Sequence, residues 1–137
     1  MKLSTKGRYA LRLLLDLAQH PEDDFIALKD IAERQDLSKK YLERIVPILI
    51  RSDILKTNRG HQGGYQLAKS PAEYTVGDIL RLTEGDLAPV PCLKHTPNQC
   101  PRSKICITLP IWEGLGKVIN DYLDGITLQD ILDNQKE

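Results

Sequence analysis

Cysteine is the residue type whose number and spacing most directly indicate chemistry in this chain. There are three cysteines, Cys92, Cys100 and Cys106, and all of them fall within the fifteen-residue stretch CLKHTPNQCPRSKIC. An odd number leaves a thiol without a disulfide partner, so the pattern is not that of a stapled secreted domain. Three thiolates on a short loop instead suit a soft metal centre, namely zinc, copper(I) or an iron–sulfur cluster.

Other chemistries are open to the same loop. His95 lies between the first two cysteines, so the loop also contains the Cys₃His donor set of structural zinc, although it lacks a CxxC pair. The thiols are also candidates for a metal-free redox switch. A cysteine-nucleophile enzyme is a remote alternative, because it needs a histidine fixed beside the thiol and a substrate pocket.

The composition is that of one domain, or of a small domain with an added interaction element. The chain has 137 residues, of which 41% are hydrophobic, and only one Trp, one Phe and five Tyr, so its core must be mostly aliphatic. No apolar run approaches the roughly 20 residues that cross a bilayer. Arg12 and Asp16 interrupt the apolar N-terminal stretch, which indicates an amphipathic helix and not a signal peptide. We expect a cytoplasmic protein with reduced thiols and no membrane partner.

The charge is balanced overall but differs between the two halves. Residues 1–69 have 13 Lys and Arg against 9 Asp and Glu, whereas residues 70–137 have 6 against 10. A basic N-terminal half on a neutral chain indicates a local surface for a polyanion.

The N-terminal half has the pattern of a helix-turn-helix. Ser4 and Thr5 are predicted to cap a first helix that ends near His20. Its apolar residues at helical spacing are Tyr9, Ala10, Leu13, Leu14, Leu17 and Ala18. A short helix is predicted over 29–35, and a turn over 36–38 leads into a third helix with Ser38 as its N-cap.

The third predicted helix has a buried and an exposed face. The predicted buried residues are Leu42, Ile45, Val46 and Leu49, and the predicted exposed ones are Lys39, Lys40, Glu43 and Arg44. Pro47 removes one backbone hydrogen bond, so we expect a kink or an early end there.

A β-hairpin is predicted directly after this helix. Strands over 54–58 and 65–67 flank a glycine-rich turn over 60–64, with Arg59 and His61 at the tip. A hairpin in this position is the wing of a winged helix. Residues 1–84 are therefore predicted to form a winged helix-turn-helix DNA-binding domain.

The C-terminal part is predicted to combine a loop with a long helix. Thr75 caps a helix over 76–84, and residues 85–107, with four prolines, form the cysteine loop. Residues 108–137 form a helix from 109 or 110 to about 123 and a short helix from Thr127.

The long helix has more apolar surface than a lone helix can bury, which predicts a dimer interface. Its apolar residues are Ile111, Trp112, Leu115, Val118, Ile119 and Tyr122. The predicted fold class is mostly α with a small β-hairpin wing, a winged helix-turn-helix followed by a C-terminal dimerisation helix.

Four segments together resemble the iron–sulfur cluster regulator (IscR) family of bacterial transcription factors. They are MKLSTKGRYAL, LKDIAERQDLSKKYLERI, RGHQGGYQL and ITLQDIL, and they span essentially the whole chain. That family also contains nitric-oxide-sensing, iron-responsive and cysteine-metabolism repressors. The resemblance implies a homodimer whose long helices pair across a two-fold axis, with an iron–sulfur cluster on the three-cysteine loop.

The resemblance places the cluster ligands at Cys92, Cys100 and Cys106. The type member has five residues between each pair of cysteines, whereas this chain has seven and then five. The longer first gap resembles the iron-responsive branch, whose cluster is thought to have four irons. The choice between [2Fe-2S] and [4Fe-4S] stays open.

The fourth ligand departs from the family. The type member's histidine corresponds to Leu109, and the acidic residue of some nitric-oxide sensors corresponds to Arg8. Neither side chain can serve. His95, Asp86, a hydroxide or a small molecule are the remaining candidates.

The predicted function is a homodimeric DNA-binding regulator, a repressor controlled by cluster occupancy and sensing iron or cluster status, oxygen or nitric oxide. Its partner is a double-stranded DNA operator, and no catalytic residue is predicted. The predicted DNA-binding residues are Thr5, Lys6, Arg8, Ser38, Lys39, Lys40, Tyr41, Glu43, Arg44, Arg59 and His61.

Among these residues, Glu43 is a candidate for accepting a hydrogen bond from cytosine N4, and Arg59 for the minor groove. Thr5, Lys6 and Arg8 suit phosphate contacts.

Overall fold

The computed structural model describes residues 2–21, 24–58 and 63–135. Within these ranges the helices are α1 (Thr5–Ala18), α2 (Leu28–Gln35), α3 (Lys39–Arg51), α4 (Val76–Glu84), α5 (Leu109–Asp124) and α6 (Leu128–Asp133). The strands are β1 (Leu55–Asn58) and β2 (Gly64–Leu67). Short 3-10 turns lie at Pro71–Glu73 and Pro91–Leu93. The predicted fold class, mostly α with one small hairpin, is confirmed.

Side-chain caps explain where several helices begin. The hydroxyls of Ser4, Ser38, Thr75 and Thr127 each accept a hydrogen bond from a backbone N–H in the first turn of the following helix. Such caps satisfy donors that the helix itself leaves unpaired. The caps that the sequence predicts at Ser38, Thr75 and Thr127 are confirmed.

Of the kink or early end expected at Pro47, the early end is wrong, because α3 continues past the proline. The helix continues for four residues beyond the proline, to Arg51. Pro47 is exposed, so the Glu43 carbonyl that loses its N–H partner lies on the solvent side of the helix, where water can donate to it instead. The opposite face keeps its packing because Ile45 and Leu49 are fully buried.

Leucines and isoleucines of the N-terminal half form the main core. Those that are wholly buried are Leu13, Leu14, Ile31, Leu42, Ile45 and Leu49. They come from α1, α2 and α3, which pack around one another. The hairpin completes this unit: β1 and β2 are antiparallel, and Leu55 lies opposite Leu67.

A third segment extends the hairpin sheet. Ile26 forms a bridge to Tyr65, with the N–H of each residue donating to the carbonyl of the other at 2.9 and 2.8 Å. The wing is therefore fixed to the chain between α1 and α2.

The C-terminal segment folds back onto the N-terminal unit. Leu128 of α6 is fully buried in the main core, and its N–H donates to the Tyr74 carbonyl at 3.0 Å. Ile119 of α5 packs against a second cluster that contains Val76 and Leu80. The division at 84 and 108 remains a prediction. None of the described helices has the length and apolar character needed to cross a membrane.

Candidate nucleic-acid interface and cysteine loop

The outer face of α3 carries the charged side chains predicted to contact DNA. The Ser38 Oγ accepts a hydrogen bond from the Tyr41 N–H at 3.2 Å and so fixes the start of the helix. The charged side chains of this face are exposed: Lys39, Lys40, Glu43 and Arg44.

Lys39 and Glu43 form an ion pair on this face, one turn of helix apart. The Lys39 Nζ lies 3.8 Å from the Glu43 Oε1, and both side chains are more than half exposed. Exposed pairs of this kind contribute about 0–1 kcal/mol, so a DNA partner can displace the contact at little cost.

The first turn of α1 lies beside α3. The Thr5 Oγ1 is 3.0 Å from the Tyr41 Oη, a hydrogen bond between the two helices. The Tyr9 ring meets the Tyr41 ring edge to face, with centroids 5.5 Å apart. Lys6 and Arg8 lie in the same stretch of α1 as Thr5. The structure thus places one residue of each predicted group, Thr5 of α1 and Tyr41 of α3, in direct contact.

Tyr9 and Arg12 are residues of this surface that the sequence argument missed. Tyr9 counts among the apolar residues of the predicted first helix, and in the structure its ring is half-buried. The Arg12 guanidinium lies 5.5 Å from the Tyr9 ring centroid and also donates hydrogen bonds to Gln35. The spacing of Tyr9 and Arg12 on one helix face, three residues apart, was the available signal.

Asp16 is the buried charge that holds α2 against α1. Its carboxylate is 1% exposed and accepts hydrogen bonds from Arg34 at 2.6 and 3.1 Å and from Gln35 at 3.0 Å. A buried carboxylate is tolerated only when paired in this way. In the sequence, Asp16 was visible only as an interruption of an apolar run.

The wing lies next to the start of α3. Lys39 and Glu43 line one surface hollow together with Thr57 and Gly64 of the hairpin strands. Arg59 and His61, predicted at the wing tip, lie outside the described residues.

The cysteine loop, residues 85–107, has a single 3-10 turn and otherwise irregular backbone. Its three thiols are free and half-buried. Cys92 lies in the 3-10 turn, and the Cys100 N–H donates to the Asn98 Oδ1 at 2.8 Å. The Cys106 carbonyl faces the start of α5, accepting from the Leu109 N–H at 3.4 Å.

The structure brings together part of the predicted ligand set. Cys92, His95 and Cys100 line one hollow, and Cys106 is not among the residues that line it. Asp86 lies at different hollows, which it shares with Lys94. Across residues 2–21, 24–58 and 63–135, no three His, Cys, Asp or Glu side chains are grouped closely enough to hold a metal ion.

Cys106 differs from the other thiols in its electrostatic surroundings. A hydrogen bond with the Thr108 hydroxyl, at 3.3 Å from the sulfur, lowers the pKa of the Cys106 thiol below its ordinary value. Backbone N–H groups and Arg102 act in the same direction. A lowered thiol pKa favours the thiolate, which is both the metal-binding and the redox-active form.

Nearly all of the chain matches a known family of sequences. The profile of the Rrf2 family, described as iron-dependent transcriptional regulators, matches residues 3–134. Protein rrf2 of Nitratidesulfovibrio vulgaris is 39% identical over 132 residues, covering 96% of this chain and 87% of that protein. The HTH-type transcriptional regulator IscR of Aliivibrio salmonicida is 35% identical over 136 residues, covering 98% and 80%.

Solved structures of regulators share the fold. The IscR structure of T. potens is 38% identical with a TM-score of 0.77, covering 99% of this chain and 89% of that one. CymR, the global cysteine regulator of B. subtilis, is 35% identical with a TM-score of 0.81, covering 99% of each chain. The oxidized form of Staphylococcus aureus CymR is also 35% identical, with a TM-score of 0.76 and complete coverage of both chains.

Proposed function

Because the chain belongs to the Rrf2 family of iron-dependent transcriptional regulators, we propose that it is a homodimeric repressor controlled by an iron–sulfur cluster on Cys92, Cys100 and Cys106. One observation carries the proposal. Three free, half-buried thiols lie on an irregular loop between the winged helix-turn-helix unit and the long helix α5. A ligand on that loop is placed to bias both units.

The donor set fits an iron–sulfur cluster by its chemistry. Soft thiolates select such clusters, and the hydrogen bond from Thr108 favours the thiolate at Cys106. When bound, the cluster supplies sensitivity to iron, oxygen or nitric oxide. Three protein thiolates leave one iron position for another ligand, and His95, which lines the same hollow as Cys92 and Cys100, is a candidate.

The homodimer proposal rests on the exposed face of α5. Ile111, Leu115, Val118 and Tyr122 follow one another at helical spacing and are 43–66% exposed. An apolar stripe of this size on a small protein is typical of an interface. Two copies would then present two α3 helices to DNA.

The DNA site follows from that symmetry. We expect a pseudo-palindrome with half-sites about one helical turn apart, each read by one α3 in the major groove. Lys39, Lys40 and Arg44 are exposed for phosphate or base contacts, and Glu43 is exposed for a cytosine amino group. Arg59 is proposed for the minor groove.

The test is to purify the protein without oxygen and measure its visible spectrum, iron and acid-labile sulfide. We expect a brown chromophore that is lost when any one of the three cysteines is changed to alanine. The apo and loaded proteins should then differ in affinity for a selected DNA duplex. A colourless wild-type protein, or equal affinities of the two forms, would refute control by a cluster.

A metal-free thiol switch is the second candidate. The lowered pKa of Cys106 favours it, since a thiolate is the form that oxidises. The similarity to the oxidized form of Staphylococcus aureus CymR is in keeping with it. A colourless protein whose DNA affinity changes reversibly with peroxide and dithiothreitol, and no longer does so after Cys106→Ser, would decide for this candidate. Zinc would show as one tightly bound, colourless metal per chain.

A further inference from the structure

Glu84, the last residue of α4, contacts the N-terminus of α1. Its Oε1 accepts a hydrogen bond from the Ser4 N–H at 3.0 Å and another from the Ser4 hydroxyl at 2.5 Å. The same hydroxyl oxygen accepts from the Gly7 N–H at 3.2 Å as the N-cap of α1. By accepting the hydrogen bond from the hydroxyl, the Glu84 carboxylate leaves the Ser4 oxygen oriented to cap α1.

The two helix ends are also packed closely. A Cβ atom added to Gly7 would lie 2.7 Å from the Glu84 Oε1 and 3.0 Å from side-chain atoms of Leu80 and Thr83. Contacts below about 3 Å are closer than carbon atoms normally approach. A shift of the last turn of α4 must therefore move the first turn of α1 or break its cap.

The first turn of α1 in turn contacts the DNA-reading helix. Thr5, directly after Ser4, makes the hydrogen bond to Tyr41 of α3 at 3.0 Å, and Tyr9 packs against the same ring. A continuous set of contacts thus runs from Glu84 through Ser4 and Thr5 to Tyr41. A fixed polar contact of this kind can carry a change of position between two elements.

On its other side, Glu84 adjoins the cysteine loop. Gly85 follows it with φ +88°, a backbone conformation suited to glycine, and the loop begins there. Lys2 and Glu84 line one hollow with Asp86 and Lys94, and Lys94 is two residues beyond Cys92. The loop, the N-terminal residues and the end of α4 therefore meet at one place.

We propose that Glu84 is a positioning residue that couples the cysteine loop to the DNA-reading surface by holding Ser4. This inference rests on the proposed function in that a change at the cysteines supplies the signal that moves the loop. The position of α1 depends on Glu84 whatever the loop binds.

The experiment compares wild type with Glu84→Gln, using a DNA duplex selected from a random-sequence library with the wild-type protein. We expect about tenfold weaker binding, the order of one charge-assisted hydrogen bond. Hydrogen exchange over residues 4–10 should become faster. Asp78→Asn is the control, because it removes a carboxylate cap at the other end of the same helix.

A double-mutant cycle separates coupling from simple stabilisation. Glu84→Gln and Tyr41→Phe should be non-additive in DNA affinity if both act on the position of the same turn. Additive losses, or unchanged affinity and exchange in Glu84→Gln, would overturn the proposal. If Glu84→Gln does not fold by circular dichroism, Ser4→Ala takes its place in each measurement.

The same comparison is repeated in a chain whose three cysteines are serine. A loss of affinity on Glu84→Gln in that background supports the positioning role without any cluster. The wild-type and thiol-free chains can prove to bind the duplex equally while Glu84→Gln lowers the DNA affinity of each. In that case the cluster proposal fails and the role of Glu84 stands.

Discussion

α1 and α5 are both amphipathic helices with aliphatic stripes, but they use those stripes in opposite ways. α1 buries Leu13 and Leu14 completely. In α5, whose residues are all described, Gly116 alone is buried, and Leu115 and Val118 are 43% and 64% exposed. Periodicity identifies an apolar face, and only the tertiary structure shows whether the chain itself covers that face. The stability of the chain should therefore reside in the N-terminal unit, and the apolar face of α5 should matter for association.

The largest expected effect comes from truncating the core of the N-terminal unit. Leu13→Ala should lower the free energy of unfolding by about 2–5 kcal/mol, because it leaves a cavity among wholly buried side chains. Urea denaturation followed by tryptophan fluorescence at low protein concentration measures this. Leu115→Ala removes the same atoms from α5 and should cost less than about 1 kcal/mol. Equal losses would show that the two helices contribute alike to folding.

Charging the α5 face should break association while leaving the chain folded. In the double variant Leu115→Glu and Val118→Glu, two exposed positions acquire charges that a dimer would have to bury, so dimer affinity should fall at least about 100-fold. Light scattering should show a monomer with unchanged circular dichroism, and operator binding should be lost. Ile119 is unsuitable for this test because it packs inside the chain. A wild-type monomer at micromolar concentration would contradict the homodimer.

Replacing one glycine in each region by alanine should produce a smaller difference in stability. A Cβ atom at Gly64 would lie 2.7 Å from the carbonyl carbon and oxygen of Ile26, and backbone cannot easily move away. Gly64→Ala should destabilise the chain by about 1–3 kcal/mol and displace the wing. Gly114 of α5 has nothing within 4 Å of such an atom, so Gly114→Ala should be neutral or stabilising by up to about 1 kcal/mol. The urea midpoints of both variants measure these differences. An unchanged midpoint for Gly64→Ala would contradict the close approach of Gly64 to the Ile26 backbone.

Features that depend only on residues close together in the chain, such as helix starts, could be predicted from the sequence. Ser38, Thr75 and Thr127 lie directly before apolar periodic segments, so the starts of α3, α4 and α6 could be predicted to within a residue. The error at Pro47 arose because the sequence alone does not show that its lost hydrogen bond faces solvent.

The contacts that position the site could not be predicted in the same way. Asp16 and Arg34 are 18 residues apart, and Ser4 and Glu84 are 80 apart, so no local pattern connects them. The three cysteines marked a loop by their spacing, but which thiols share a hollow depends on how that loop folds back.

The smallest effect concerns the ion pair that joins the two regions. The Arg81 Nη2 of α4 lies 2.8 Å from the Asp124 Oδ2 of α5. This hydrogen bond lowers the pKa of Asp124 and raises that of Arg81. A carboxylate whose pKa is depressed by folding contributes stability above its unfolded-state pKa of about 4, and loses it as the pH falls through the lower folded-state value.

Asp124→Asn should therefore lower the free energy of unfolding at pH 7 and leave it close to the wild-type value at acid pH. Because the Arg81 and Asp124 side chains are 34% and 45% exposed, the difference from wild type at pH 7 should stay below about 1 kcal/mol. It should shrink as the pH falls below about 4, because the carboxyl gains its proton first in the unfolded chain and only at lower pH in the folded one. Urea midpoints from pH 7 to pH 2 measure the difference. Asp121→Asn is the control, because the ion pair of Asp121 is with Lys117 of the same helix, α5. If Asp121→Asn showed the same pH dependence, the effect would belong to the helix itself and not to its contact with α4.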